Sequence, residues 1–228
     1  MSTIAINYLI LIVSMVITIA AQVYISKCYS KYKNIGNQSG ITGFEVARKI
    51  LDENGLSNIH VVETKGELSD HYDPGRKVIR LSRDVFNGNS IASVAVAAHE
   101  CGHAIQDKNG YWFLKFRNFI VPFVNICSRL GYIAIFIGII ASLFDIAMFG
   151  IILLCAILVF QLITLPVEFN ASSRALKEIE RLKLLDHNEQ SQGKTMLTAA
   201  ALTYVASLVT TILEVLRLFL IVSGNDRD

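Results

Sequence analysis

The sequence predicts a mainly α protein, a four-helix polytopic membrane protein that carries one small α+β domain. Three observations predict it. Hydrophobic residues make up 53% of the 228 residues and charged ones 18%, with a mean hydropathy of +0.47, which is too apolar for an ordinary soluble domain. The apolar residues gather into long runs instead of scattering. The one sizeable polar stretch, residues 26–115, switches between helix-period and strand-period patterns.

Residues 1–25 form the first run and are expected to be an N-terminal membrane anchor, because no charged side chain precedes Lys27. About 20 helical residues cross a hydrocarbon core of about 30 Å. The run has no Lys or Arg ahead of its apolar part, so it reads as a retained anchor, with Ala20-Ala21-Gln22 the small-residue stretch that leaves a cleaved secretory signal as the alternative. Lys27, Lys31 and Lys33 follow it, and such basic flanks favour the cytoplasmic side. Residues 26–115 are therefore expected inside the cell.

Within that stretch Thr42 and Glu45 predict a capping box, Val46, Ile50 and Leu51 continue at helical spacing, and Gly55 closes the helix. Ile59 to Glu63 reads as a strand, Leu68 to Gly75 as a turn, and Lys77 to Ser82 alternates as a second strand. This second strand is either a plain hairpin strand or the edge beside which an extended peptide would lie. Asn89 or Ser90 then caps a helix through Ile91, Val94 and Val96.

That helix carries His99-Glu100-Cys101-Gly102-His103. Residues i and i+4 share a helix face, so both imidazoles can reach one cation, and zinc suits imidazole nitrogen. Glu100 stands outside such a ligand set, where it can take a proton from an attacking water and pass it to a leaving amine. Taken alone, the five residues also fit two surface histidines on an ordinary helix. A helix, strand, turn, strand and motif helix in that order form the skeleton of a small metalloprotease-like, or zincin-like, catalytic domain over residues 26–115.

Residues 116–166 hold two further crossings, roughly 119–143 and 146–166, with a turn at Asp145. Residues 167–195 read as a separate cytoplasmic helix, placed inside by Arg174, Lys177, Arg181 and Lys183. The last crossing spans 196–222, with Glu214 and Arg217 three apart on one face. That pair reads as an internal lock between helices, or as a polar path suited to a transporter.

A catalytic zinc needs a third protein donor. His60 falls on a strand, His71 in a turn and His187 in a polar loop, none with an orienting context. Glu168 is the better candidate, because the third crossing delivers it to the same membrane side as the motif. Ser172 lies one turn further on the same face, where a hydroxyl can bond a ligand histidine. The competing reading of Glu168 is an interfacial carboxylate held near Arg174.

A net charge of +2 without a basic stripe argues against a nucleic-acid partner. Cys28, Cys101, Cys127 and Cys155 lack the paired spacing of a zinc ribbon or redox site, and read as small buried hydrophobes.

The runs Asp70-His71-Tyr72-Asp73-Pro74, Val78-Ile79-Arg80-Leu81-Ser82, Ala97 to Gln106, and Leu165-Pro166-Val167-Glu168-Phe169-Asn170-Ala171-Ser172 together resemble the YugP-type neutral zinc metallopeptidases of bacterial membranes. The chain is more distantly similar to the membrane gluzincins of the CAAX-protease and heat-shock types, in which Asp stands at the place of Ser172. The resemblance implies Zn2+ held by His99, His103 and Glu168, with Glu100 as general base. It also implies a peptide or protein substrate, membrane-associated ones included, and a multi-pass place in the cell membrane. Two rivals stand beside it. An intramembrane protease would carry its motif within a crossing, whereas Asp107, Lys108 and Asn109 follow this one directly. A non-catalytic, zinc-containing membrane scaffold or adaptor would have no use for Glu100.

Overall fold

The computed structural model describes residues 3–225. Among the described residues, four helices are long and apolar enough to cross a membrane: α1 (Thr3–Lys33), α5 (Trp112–Ile140), α6 (Phe144–Arg181) and α7 (His187–Asn225). Between the first two lie α2 (Gly43–Glu53), β1 (His60–Thr64), β2 (His71–Asp73), β3 (Val78–Ser82), α3 (Arg83–Phe86) and α4 (Ile91–Lys108). The chain divides into two compact units. One holds the described residues up to Gln22, then Lys115–Leu165 and the stretch from Leu202 onward; the other holds Val23–Leu114 and Pro166–Ala201.

In the first unit Ile135, Ala147, Ile151, Leu154, Leu218 and Val222 form an apolar cluster. Gly131 lets α5 and α6 touch, since a Cβ there would stand 2.9 Å from the Gly150 carbonyl oxygen. The turn between these helices falls at residues 141–143, with Asp145 in the first turn of α6. Glu214 and Arg217 pair at 2.6 and 2.9 Å within α7 itself. The pair therefore runs along one helix.

The second unit is built on a core that includes Val46, Ile50, Leu51, Ile79, Leu81, Ile91, Val94 and Ile179. The Thr42–Glu45 capping box starts α2, and Ser90 caps α4 by accepting from the Ser93 N–H. Gly55, at φ +64, provides the left-handed turn that ends α2.

The small sheet departs from the expected hairpin in one respect that matters. Its order is β1-β3-β2, with β1 parallel and β2 antiparallel to β3. The strand expected at the edge is thus the central one, paired on both sides, and has no free edge for a peptide. The stretch read as a turn supplies β2 instead. Asp70 fastens it, accepting bonds from the Ser82 N–H at 2.7 Å and the Ser82 hydroxyl at 3.1 Å.

The helix expected as a separate element after residue 166 is the continuation of the third apolar helix, and α6 runs through Pro166 to Arg181. Val167, Ala171, Ala175 and Ile179 form a fully buried stripe at four-residue spacing, so burial holds the helix across the proline. At its end Lys183 takes φ +51. Asp186 and Glu189 then bond each other's backbone N–H groups and start α7 at His187, nine residues earlier than expected.

Candidate metal centre

α4 presents His99 and His103 on one face, with ring centroids 4.8 Å apart and edge to face. α6 presents Glu168, which is 4% exposed. The Glu168 Oε2 atom lies 3.3 Å from His99 Nε2 and 3.6 Å from His103 Nε2. Among the described residues these three side chains form a group with ligand atoms all within 4.8 Å of one another.

The approach of the two helices has a specific cause. A Cβ on Gly102 would stand 2.4 Å from the Ala171 carbonyl oxygen, so any larger residue would push α6 off α4. Gly102 therefore sets how close the glutamate comes to the histidines on either side of it. Ser172, expected to offer its hydroxyl to a ligand histidine, places that hydroxyl 3.2 Å from His99 Nδ1.

His103 Nδ1 lies 3.0 Å from Gln106 Oε1. The Gln106 amide nitrogen donates to the Val167 carbonyl at 2.8 Å and to Asn170 Oδ1 at 3.0 Å, and Arg174 Nε donates to the same Asn170 oxygen at 2.7 Å. The Tyr111 hydroxyl donates to the Pro166 carbonyl at 3.4 Å. The α6 backbone just ahead of Glu168 is thus held from α4 and from the turn after it.

Glu100 is buried beside His99. Burial pushes its carboxyl up to about 7, the nearby Glu168 and Asp70 push the same way, and His99 and the Tyr72 backbone N–H pull against them. Cys101 points away into the core, where its thiol lies 3.6 Å from the Ala47 carbonyl and burial raises its pKa well above the ordinary value.

The other histidines lie outside the group. His60 is exposed on β1, His187 is the first residue of α7, and His71 Nδ1 lies 2.8 Å from the Ser69 carbonyl. Tyr72, a candidate oxyanion donor by residue type, gives its hydroxyl to Asp107 at 2.8 Å.

The donor set fits zinc. Two imidazole nitrogens and one carboxylate oxygen converge from two helices, which is the ligand count and chemistry of a catalytic zinc site. Sequence reasoning missed Gly102, Gln106, Asn170 and Arg174. A glutamine three residues after His103 was the available signal, since that spacing lets it reach back to the ring.

A family model described as "Putative neutral zinc metallopeptidase" matches residues 7–223. The chain is also 44% identical over 208 residues to the "Putative membrane protease YugP" of Bacillus subtilis (strain 168), covering 91% of this chain and 92% of that one. No solved structure matches it.

Proposed function

The chain belongs to the neutral zinc metallopeptidase family, and from that premise we propose that it is a membrane-embedded zinc-dependent metalloendopeptidase. His99, His103 and Glu168 would hold the ion, and Glu100 is the general base. The observation that carries this reading is the convergence of those three donors with a buried carboxyl directly beside them. When bound, zinc supplies Lewis-acid polarisation of the scissile carbonyl and makes water acidic enough to attack near neutral pH.

The protein's own groups do the rest. Glu100, buried beside His99, can take the proton of the attacking water and return it to the leaving amine. Ser172 and Gln106 orient the two imidazoles from their Nδ1 sides. The β2 edge, whose Tyr72 N–H faces Glu100, replaces β3 as the strand beside which an extended peptide would lie. On this reading residues 26–115 act as a zincin-like domain whose third ligand arrives from α6.

The substrate on this reading is a peptide or protein, membrane-associated ones included. Lys27, Lys31 and Lys33 on one side of the polar stretch, with Arg174, Lys177, Arg181 and Lys183 after Glu168, favour a cytoplasmic catalytic face. The detergent-solubilised protein is expected to cleave a casein-like substrate, to lose that activity to 1,10-phenanthroline, and to regain it on adding zinc. Cleavage that persists after the metal is stripped would count against the proposal, as would purified metal-loaded protein with no cleavage of any peptide or membrane protein.

A further inference from the structure

Gln106 is 0% exposed, and a buried amide must place both of its donors and its acceptor. Its nitrogen faces the Val167 carbonyl at 2.8 Å and Asn170 Oδ1 at 3.0 Å. A backbone carbonyl only accepts, so the nitrogen end of the amide is assigned there. Oε1 is the atom left for His103 Nδ1, 3.0 Å away. An amide oxygen also only accepts, so Nδ1 must carry the ring proton. Nε2, the atom that faces Glu168, is then the lone-pair nitrogen that a metal requires.

Turning the amide over would set its oxygen against two acceptors and its nitrogen against His103, leaving buried groups unpaired at a cost of about 1–3 kcal/mol each. Arg174 reinforces the chosen orientation, because its Nε–H holds the Asn170 oxygen toward the Gln106 amide at 2.7 Å. The bond to Val167 ties the same side chain to the residue before Glu168. His99 has no equivalent device, since the Ser172 hydroxyl at 3.2 Å can donate or accept and so fixes no tautomer.

We propose that Gln106 is a positioning residue of the metal centre: it holds His103 in the Nδ1-protonated tautomer and fixes the backbone beside Glu168 relative to it, with Asn170 and Arg174 keeping its amide from reversing. The proposal rests on the zinc reading above.

The test uses the full-length protein in detergent, with Zn2+ affinity read by chelator competition and the Co2+-loaded form by its visible spectrum. Gln106→Leu keeps the approximate shape and removes every hydrogen bond. It is expected to weaken zinc binding about 10–100-fold, as loss of a ligand-orienting partner does, and to alter the cobalt bands. Gln106→Glu, which still accepts from His103 but sets a second oxygen against the Val167 and Asn170 oxygens, is expected to recover only part of the affinity. Leucine binding zinc as tightly as wild type with an unchanged cobalt spectrum overturns the proposal. Should the leucine variant not fold, Asn170→Ala serves instead. It leaves Gln106 in place, is expected to lower zinc affinity several-fold, and overturns the proposal if affinity is unchanged. A wild-type protein that binds neither metal overturns the zinc reading beneath it, a result distinct from equal binding by wild type and Gln106→Leu.

Discussion

Replacing Glu100 with glutamine is expected to leave the metal in place while cutting peptide hydrolysis about 10²–10⁴-fold, the range that general acid–base catalysis contributes. The substitution keeps the shape of a buried side chain and removes only its ability to carry a proton. Glu100 stands outside the group formed by His99, His103 and Glu168, so metal content has no reason to change. Folding should tolerate the change, because burial and the neighbouring Glu168 and Asp70 all disfavour the charged carboxylate. Zinc content and cleavage rate measured on one preparation separate the two effects. Full activity with glutamine at position 100 would assign the base to another residue.

The second large effect is expected from Glu168→Ala, which should weaken zinc binding by more than about 100-fold, beyond what loss of an orienting partner costs. A hundredfold loss corresponds to about 2.8 kcal/mol. The carboxylate oxygen stands 3.3 and 3.6 Å from the two Nε2 atoms, and among the described residues no other carboxylate, thiol or imidazole joins the group. His60, His71 and His187 lie elsewhere and cannot substitute without rearrangement. Chelator competition on wild type and variant measures the difference. Unchanged affinity would remove Glu168 from the ligand set and with it the role of α6 in the site.

The two expectations depend on parts of the chain that were unequally legible in the sequence. The four apolar helices follow from the length and charge-poverty of their runs, a signal local to each segment. The His99–His103 face follows from helix periodicity alone. Pairing it with Glu168 took a longer argument, through the Lys and Arg flanks that set both segments on one membrane side.

What stayed hidden depends on contacts distant in sequence. β2 is three residues long, too short to show a period of two, and its pairing is fixed by Asp70 reaching Ser82. That omission led directly to β3 being taken for an edge. The continuity of α6 across Pro166 was hidden because a proline reads locally as a boundary, whereas the buried stripe from Val167 to Ile179 keeps the helix going. Gly102 looked like an ordinary helix glycine until the Ala171 carbonyl was found against it. Gln106 looked like a polar residue on the motif helix, and only its partners on α6 reveal that it is fully buried and bonded at both ends.

The central claim is that two histidines of α4 and one glutamate of α6 hold a zinc ion. X-ray absorption at the zinc edge of the purified, detergent-solubilised protein tests it most directly. The expected spectrum shows one zinc per chain with imidazole nitrogen and carboxylate oxygen scatterers at about 2.0–2.2 Å and no sulfur. A sulfur shell at about 2.3 Å, or protein with His99 and His103 intact that holds no zinc, would contradict it.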